Sequence, residues 1–199
     1  MMKLYYSATS PYVRKVMACA IARGLEGRIQ LHPTNPHASP ADLVADNPTS
    51  KVPCLVTDDG LSLYDSPVIC EFLDSLGDAP ALFPGSSAAR WRALKFQAMG
   101  DGILDAAVPC RGELGRPKEA ARDAAIARHK AAMFRTVDAL EADPPHRHVD
   151  VGSIAVACAL GYLDFRYASD AWRPGHSKLT AWFEEFAKHP AIVQTAPKE

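Results

Sequence analysis

Apolar and polar positions follow two different periods along this chain of 199 residues, and the change falls near residue 80. Before that point, short runs suited to strands alternate with segments of helical spacing. Strands are predicted at 3–6, 28–32, 53–57 and 61–64, and helices at 11–23, 40–45 and 67–76. Asp58-Asp59-Gly60 separates the last two strands and is typical of a hairpin turn. The predicted order is therefore β-α-β-α-β-β-α.

From residue 88 onward the apolar patterns have helical spacing. Helices are predicted at 88–108, 117–142, 151–168 and 176–188. The segment 151–168 is apolar almost all round, which is typical of the central helix of a bundle. Asp150 precedes this segment and is its expected N-cap, because aspartate is a good capping residue.

The two patterns meet in a segment rich in glycine and proline, which predicts a linker. The predicted division is an α/β domain at 1–78, a linker at 79–87 and an all-helical domain at 88–199. Leu82 and Phe83 are apolar residues inside the linker, so we expect it to be pinned to the body of the protein.

Charge and hydropathy argue against several classes of protein. The chain has 22 Lys and Arg against 23 Asp and Glu, a net charge of -1, whereas nucleic-acid and anionic-membrane partners favour a basic excess. No apolar run approaches the roughly 20 residues that span a bilayer, and the N-terminus lacks the apolar stretch of a secretory signal. We therefore expect a cytoplasmic protein without a nucleic-acid or membrane partner.

The cysteines and histidines form no recognisable metal or redox motif. Five cysteines are present without a C-x-x-C pair, which favours reduced, buried thiols in the cytosol. Cys54 is interpreted as a core strand residue, with a redox thiol as the alternative. His146 and His148 share a proline-rich turn but lack the clustered ligands that zinc needs, so no metal is expected.

The segment Thr9-Ser10-Pro11-Tyr12-Val13-Arg14-Lys15 follows a predicted strand and opens a helix. Ser10 has the residue type of an N-cap, and Pro11 that of the first helical position. The free N–H groups and the positive dipole end at a helix N-terminus stabilise an anion such as a thiolate. Alternatively, Ser10 does no more than cap the helix.

Two further motifs stand before later elements: Asn47-Pro48-Thr49-Ser50-Lys51-Val52-Pro53 precedes a strand, and Leu63-Tyr64-Asp65-Ser66-Pro67-Val68-Ile69 leads from a strand into a helix. Three motifs in this order, followed by a helical second half, resemble the cytosolic glutathione S-transferase superfamily over essentially the whole chain. The similarity is greatest to bacterial members whose active-site segment reads T-S-P-[YF]-V-R-K.

The resemblance implies a thioredoxin-like N-terminal domain, an all-α C-terminal bundle and glutathione as the co-substrate. It implies a cis peptide bond before Pro53, which leaves the backbone of Val52 free to pair with the tripeptide. Ser66 and the N–H groups after it suit the γ-glutamyl carboxylate, with Asp65 beside the ammonium group. Lys51 is placed to meet the glycine carboxylate. For Ser66 and Lys51 the alternatives are a simple cap and a solvated loop charge.

The same resemblance suggests further roles. Ser10 would donate a hydrogen bond to the thiolate sulfur, with Thr9 as the fallback donor. His37 and Asp101 are further candidate glutathione ligands, Asp101 acting within one subunit or across two, although each is alternatively a solvated side chain. The electrophile site is expected between the domains, at the residues Tyr12, Met99 and Ile103.

The function that follows is a dimeric glutathione transferase that conjugates the thiolate to small hydrophobic electrophiles in detoxification. One alternative is a non-catalytic glutathione-fold binding protein, and another is a glutathione-dependent reductase or peroxidase. A thiol reductase of this family would need a cysteine where Ser10 stands, which argues against it. For the homodimer, Trp91, Leu94 and Ala98 are candidates for either core or interface.

The chain departs from the family pattern at two places. Ser50 stands where a glycine often precedes the lysine, so we expect a stiffer loop. Asp150 and Ser153 invert the common order of Ser or Thr followed three residues later by Asp, and the sequence leaves open whether their side chains cap the helix reciprocally.

Overall fold

A computed structural model describes residues 1–197, and the strands and α-helices of its first half follow one another in the predicted order β-α-β-α-β-β-α. The strands are β1 (Met2–Tyr6), β2 (Ile29–Pro33), β3 (Cys54–Val56) and β4 (Ser62–Leu63). They lie in the order β2-β1-β3-β4, with β2 parallel to β1 and the other two pairs antiparallel. The predicted hairpin is confirmed, because Gly60 adopts a φ of +88°, which a residue with a side chain rarely reaches.

The helices of the first half are α1 (Pro11–Ala22), α2 (Ala41–Asp46) and α3 (Ser66–Asp74). Helix α1 packs against α3 on one side and against the second half of the chain on the other. Its apolar residues Val13, Val16 and Ala20 are buried at the spacing of one helical face. Helix α1 therefore lies at the centre of the molecule and its N-terminus faces the junction of the two halves.

The second half is helical throughout and consists of α4 (Ala88–Leu114), α5 (Ala120–Ala142), α6 (Val151–Arg166), α7 (Ser177–Phe186) and α8 (Pro190–Gln194). Helix α6 is central, because its residues from Val151 to Leu160 are all buried. The reciprocal cap that the sequence left open is present. Ser153 N–H donates to Asp150 Oδ1 at 2.7 Å, and Asp150 N–H donates to Ser153 Oγ at 2.9 Å.

One predicted helix bound was wrong, and one helix was not predicted. Helix α4 runs through Pro109 to Leu114, although a proline removes one backbone hydrogen bond and favours an end at 108. Burial of Ala107 and Cys110 on either side of the proline outweighs that loss. Helix α8 was not predicted, because five residues are too few for a hydrophobic period and its N-cap is His189, an unusual capping residue.

The long helices α4 and α6 touch backbone to backbone at two glycines. A Cβ atom on Gly100 would lie 2.6 Å from the carbonyl carbon of Ala155, and one on Gly152 would lie 2.5 Å from the carbonyl oxygen of Ala93. Real Cβ atoms do not approach backbone so closely, so only glycine fits at either position. This contact sets the position of α4 against α6.

The segment between α3 and α4 is held in place, as its apolar residues suggested. The Asp74 carboxylate accepts hydrogen bonds from the N–H groups of Leu82 at 2.7 Å and Phe83 at 3.0 Å. The carbonyl of Leu82 accepts from Val151 N–H, so the linker connects α3 to the start of α6. Across residues 1–197, no helix combines the length and the apolar character needed to cross a bilayer.

Candidate functional site

Ser10 lies at the N-cap of α1, as predicted, immediately after the loop that leaves β1. Its Oγ accepts a hydrogen bond from Val13 N–H at 3.3 Å, which satisfies one of the free donors at the helix end. The hydroxyl proton of Ser10 has no acceptor among the described residues, so it remains free to donate. Thr9, the fallback donor, is exposed in the preceding turn. The arrangement presents one hydroxyl donor and the positive end of a helix dipole to the same point.

The residues expected to hold glutathione lie on the elements next to α1. The peptide bond between Val52 and Pro53 is cis, as the resemblance implied, and the backbone N–H and C=O of Val52 form no hydrogen bond within residues 1–197. Asp65 is the N-cap of α3 and its exposed carboxylate has no partner in this part of the chain. Ser66 begins α3 and is 1% exposed. Lys51 is exposed and forms no ion pair within the same range.

The loop before Lys51 is tied to the turn that carries His37. Ser50, which replaces the family glycine, adopts a φ of +51°, in the left-handed region that favours glycine. Its hydroxyl is 3.2 Å from the carbonyl of Pro36 and 3.0 Å from Ser39 Oγ. The exposed His37 side chain lies in the 3₁₀ turn Pro36–Ala38. Hydrogen bonds therefore offset the strain at Ser50 and hold His37 beside the Lys51 loop.

Asp101 is not a free carboxylate, because Lys15 of α1 occupies it. Lys15 Nζ donates to both carboxylate oxygens, at 2.6 and 2.7 Å, and the Lys15 side chain is 0% exposed against 16% for Asp101. One turn earlier on α1 and one turn later on α4, the Tyr12 hydroxyl donates to Asp105 Oδ1 at 2.5 Å. The sequence prediction assigned Asp101 to the ligand and gave Lys15 no role. In the structure both residues lie in the contact between α1 and α4.

These pairs change the acidity of their members. Burial raises the pKa of Asp101, and the charge of Lys15 offsets only part of that effect. Burial alone would lower the pKa of Lys15, but the Cys70 sulfur and the Asp101 carboxylate outweigh it and raise that pKa. Burial and the hydrogen bond to Asp105 raise the pKa of Tyr12, so its hydroxyl stays protonated. The charge of Asp65 also contributes to the raised pKa of Asp101, which places Asp65 near this contact.

A narrow cleft opens beside Ser10. It is lined by residues from the β1–α1 loop, α1, α6 and the segment after α8: Ala8, Thr9, Ser10, Pro11, Arg14, Tyr162, Thr195 and Pro197. Of the residues expected at the electrophile site, Ile103 is fully buried in the core and Met99 packs against it, so neither lines this cleft. Tyr12 lies on α1 but is bound to Asp105. Sequence reasoning missed Arg14 and Tyr162, although Arg14 belongs to the motif that it singled out.

Both halves of the chain match a family model. The model "Glutathione S-transferase, N-terminal domain" matches residues 9–76, and "Glutathione S-transferase, C-terminal domain" matches residues 123–185. The "Uncharacterized GST-like protein YibF" of Escherichia coli (strain K12) is 31% identical over 201 residues, covering 98% of both chains. The chain belongs to the glutathione S-transferase family. The two matches fall on either side of the linker predicted at 79–87, while the domain bounds themselves stay a prediction.

Solved structures of other glutathione S-transferases agree over the full chain. A glutathione transferase family member from Pseudomonas fluorescens Pf-5, crystallised with bound glutathione, is 38% identical, with a TM-score of 0.93 and coverage of 100% of both chains. A second structure of a glutathione transferase family member from Pseudomonas fluorescens Pf-5, with bound S-(propanoic acid)-glutathione, is 36% identical, with a TM-score of 0.88 and coverage of 100% of both chains. A glutathione S-transferase from Methylobacillus flagellatus KT with glutathione bound is 31% identical, with a TM-score of 0.90 and the same coverage. The predicted fold, a thioredoxin-like domain with a helical bundle, is confirmed.

Burial shields the cysteine thiols of this glutathione S-transferase from solvent. All five cysteines are free and buried. Burial raises the pKa of Cys54 to about 11, so its thiol stays protonated near neutral pH and fits the interpretation as a core strand residue. Within the described 197 residues, no group of three or more His, Cys, Asp or Glu side chains is arranged to hold a metal ion.

Proposed function

We propose that this protein is a glutathione transferase that joins the glutathione thiolate to small electrophiles. The observation that carries the proposal is Ser10 at the N-cap of α1, with its Oγ fixed by Val13 N–H and its own proton free. Such a hydroxyl donates to a thiolate sulfur and stabilises it after ionisation. A thiol pKa lowered by about two units corresponds to roughly 2.7 kcal/mol, within reach of one charge-assisted hydrogen bond and a helix dipole.

Glutathione would lie as an added strand against Val52, with its two ends held by charge. Asp65 would meet the γ-glutamyl ammonium, and Ser66 with the α3 N-terminus would meet the carboxylate beside it. Lys51 would meet the glycine carboxylate, and His37 stands next to that loop. The solved relatives with bound glutathione support this assignment. Because Asp101 is engaged by Lys15, we propose that it positions α4 and does not contact the ligand.

The electrophile would enter the cleft between Ser10 and Tyr162. A relative was crystallised with S-(propanoic acid)-glutathione, which supports the proposal that the site of this protein accepts a substituent on the sulfur. Ser10 stands where a thiol reductase of this family would need a cysteine, which favours conjugation over reduction. We place the protein in the cytoplasm, in detoxification.

The same proposal includes a homodimer. Trp91 on α4 is 71% exposed and Ala98 is also exposed, whereas Leu94 packs against the core. A tryptophan so exposed on a helix is typical of a surface that a second copy covers. Light scattering at micromolar concentration should give twice the chain mass of 21.5 kDa, and a mass of one chain would contradict the dimer.

A titration of bound glutathione tests the chemistry. The thiolate absorbance is measured against pH in complexes of the wild type, Ser10→Ala and, as the matched control, Thr9→Ala. We expect the apparent thiol pKa to rise only in Ser10→Ala, together with slower conjugation of an aryl halide. Superimposable curves for wild type and Ser10→Ala would mean that Ser10 only caps the helix. If none of the three proteins is retained on immobilised glutathione, the proposal is wrong as a whole.

A further inference from the structure

Arg14 is a cation inside the protein with unused donors. Its Nε and Nη1 atoms are buried and have no hydrogen-bond acceptor among residues 1–197, and Nη2 has only the carbonyl of Ile192 at 3.4 Å. The guanidinium lies directly against α6, where Gly161 makes room for it. A Cβ atom on Gly161 would collide with Nη1. A buried donor without an acceptor is costly. The described chain does not supply the acceptors that this guanidinium needs.

The unpaired guanidinium lines the same cleft as Ser10. Both residues border it, together with Tyr162 of α6 and Thr195 after α8. Arg14 N–H donates to the carbonyl of Ser10, so the two residues are one helical turn apart. Side chains at this spacing have Cβ atoms about 5–6 Å apart. An anion bound to Arg14 would therefore lie only a few bonds from a sulfur atom held at Ser10.

The charge of Arg14 has no counter-charge in the described chain. Arg14 forms no ion pair within residues 1–197, and the acidic residues that contact α1 from α4, Asp101 and Asp105, are already engaged by Lys15 and Tyr12. A negative group in the cleft would therefore meet a cation that no carboxylate of the protein neutralises.

We propose that Arg14 binds a carboxylate on the electrophile, so that the preferred substrates are short-chain carboxylic acids with a nearby leaving group. This inference rests on the proposed function, in which both glutathione carboxylates are held elsewhere. The thiolate sulfur forms a bond to the carbon that carries a halogen, the halide leaves with its electron pair, and the carboxylate stays ionised on Arg14. The product is an S-(carboxyalkyl)glutathione. Guanidinium and carboxylate have matching two-donor and two-acceptor geometry.

Calorimetry with two thioethers of equal size tests the assignment. S-(2-carboxyethyl)glutathione and its carboxamide differ in charge but hardly in volume. We expect the wild type to bind the carboxylate at least about tenfold more tightly, the range of one charge-assisted interaction. Arg14→Gln should abolish this preference and keep the affinity for glutathione itself. The surface variant Arg28→Gln, which removes an exposed arginine outside the cleft, is the matched control and should keep the preference.

A second variant moves the guanidinium without deleting it. In Gly161→Ala the added methyl group displaces the end of the Arg14 side chain, and we expect the same loss of preference even if Arg14→Gln fails to fold. Equal affinities of the wild type for the two thioethers would overturn the inference, and so would a preference that persists in both variants. If the wild type and the variants bind glutathione, the proposed transferase function stands whatever the preference between the two thioethers. If the wild type does not bind glutathione at all, both the proposed function and the assignment of Arg14 are wrong.

Discussion

Arg14 and Lys15 are neighbours on α1 and carry the same charge, but they have opposite surroundings. Lys15 is 0% exposed and donates to both oxygens of Asp101. The buried Nε and Nη1 of Arg14 have no acceptor in the described chain. A buried charge is tolerated when the fold supplies its partner. The fold supplies one for Lys15 and leaves that of Arg14 to come from outside.

The same division separates other charged groups of the molecule. Tyr12 and Asp105, like Lys15 and Asp101, are bound to each other across the contact between α1 and α4. Asp65 has no partner within residues 1–197 and stands at the start of α3, where the N-terminus of glutathione is expected. Paired groups therefore hold the two halves together, and unpaired groups border the place where a ligand is expected. Substitutions should reveal which class a residue belongs to, through stability for the first and binding for the second.

The largest effect is expected from Asp101→Ala. Removing this carboxylate leaves Lys15 charged and buried, which typically costs about 3–5 kcal/mol. Urea unfolding should show the loss as a lower midpoint with a similar slope. The double variant Lys15→Met with Asp101→Leu removes both charges and should recover most of the stability. A double variant as unstable as the single one would show that packing, and not the stranded charge, is responsible.

Asp65→Ala should have its effect on binding instead. Loss of a charge-assisted hydrogen bond costs about 1.5–3 kcal/mol, so the glutathione dissociation constant should rise about tenfold or more. The free energy of unfolding should change by less than about 0.5 kcal/mol, because Asp65 is exposed and unpaired. Glu26→Ala, another exposed acid without an ion pair in the described chain, is the control for both measurements. Unchanged affinity by calorimetry would remove Asp65 from the site.

Ser10 belongs to both classes, and two variants separate its roles. Ser10→Ala loses the acceptor of Val13 N–H and should lower the free energy of unfolding by about 0.5–2 kcal/mol, whereas glycine at an N-cap costs only a few tenths. Both variants lack the hydroxyl and should raise the thiol pKa of bound glutathione equally. If Ser10→Gly kept the wild-type thiol pKa in the absorbance titration, the free hydroxyl would have no part in stabilising the thiolate.

The smallest effect is expected from Arg14→Met. Because this variant removes a guanidinium whose buried donors lack acceptors, the free energy of unfolding should stay constant or rise by up to about 1 kcal/mol. Lys15→Met, the same change one residue later, should be strongly destabilising, since it leaves Asp101 buried without its partner. Equal destabilisation of the two variants in urea would end the contrast between these neighbouring residues.

Local patterns predicted most of the architecture, because strands, amphipathic helices and caps are encoded by nearby residues. The period of two before residue 80, the hairpin at Gly60 and the buried α6 were all visible in the chain. The short helix α8 and the passage of α4 through Pro109 were not. Both depend on packing, which outweighs the local preferences of five residues or of one proline.

The candidate site divides in the same way. Ser10, Asp65 and Ser66 were predicted because helix N-termini have recognisable residue types, and the cis bond at Pro53 came only from the family resemblance. The Lys15–Asp101 pair joins residues 86 positions apart, so the packing of α1 on α4 had to be known first. The surroundings of Arg14 were hidden for the same reason: its sequence neighbours do not show that its guanidinium packs against α6 at Gly161.

The glycines at the contact of α4 with α6 also limit how the protein can move. With backbone lying on backbone at Gly100 and Gly152, a slide of one helix along the other would drive the next side chain into a main chain. We therefore expect the two helices to move as one unit. Asp101 follows Gly100 directly, so this close contact also fixes the place at which the carboxylate meets Lys15.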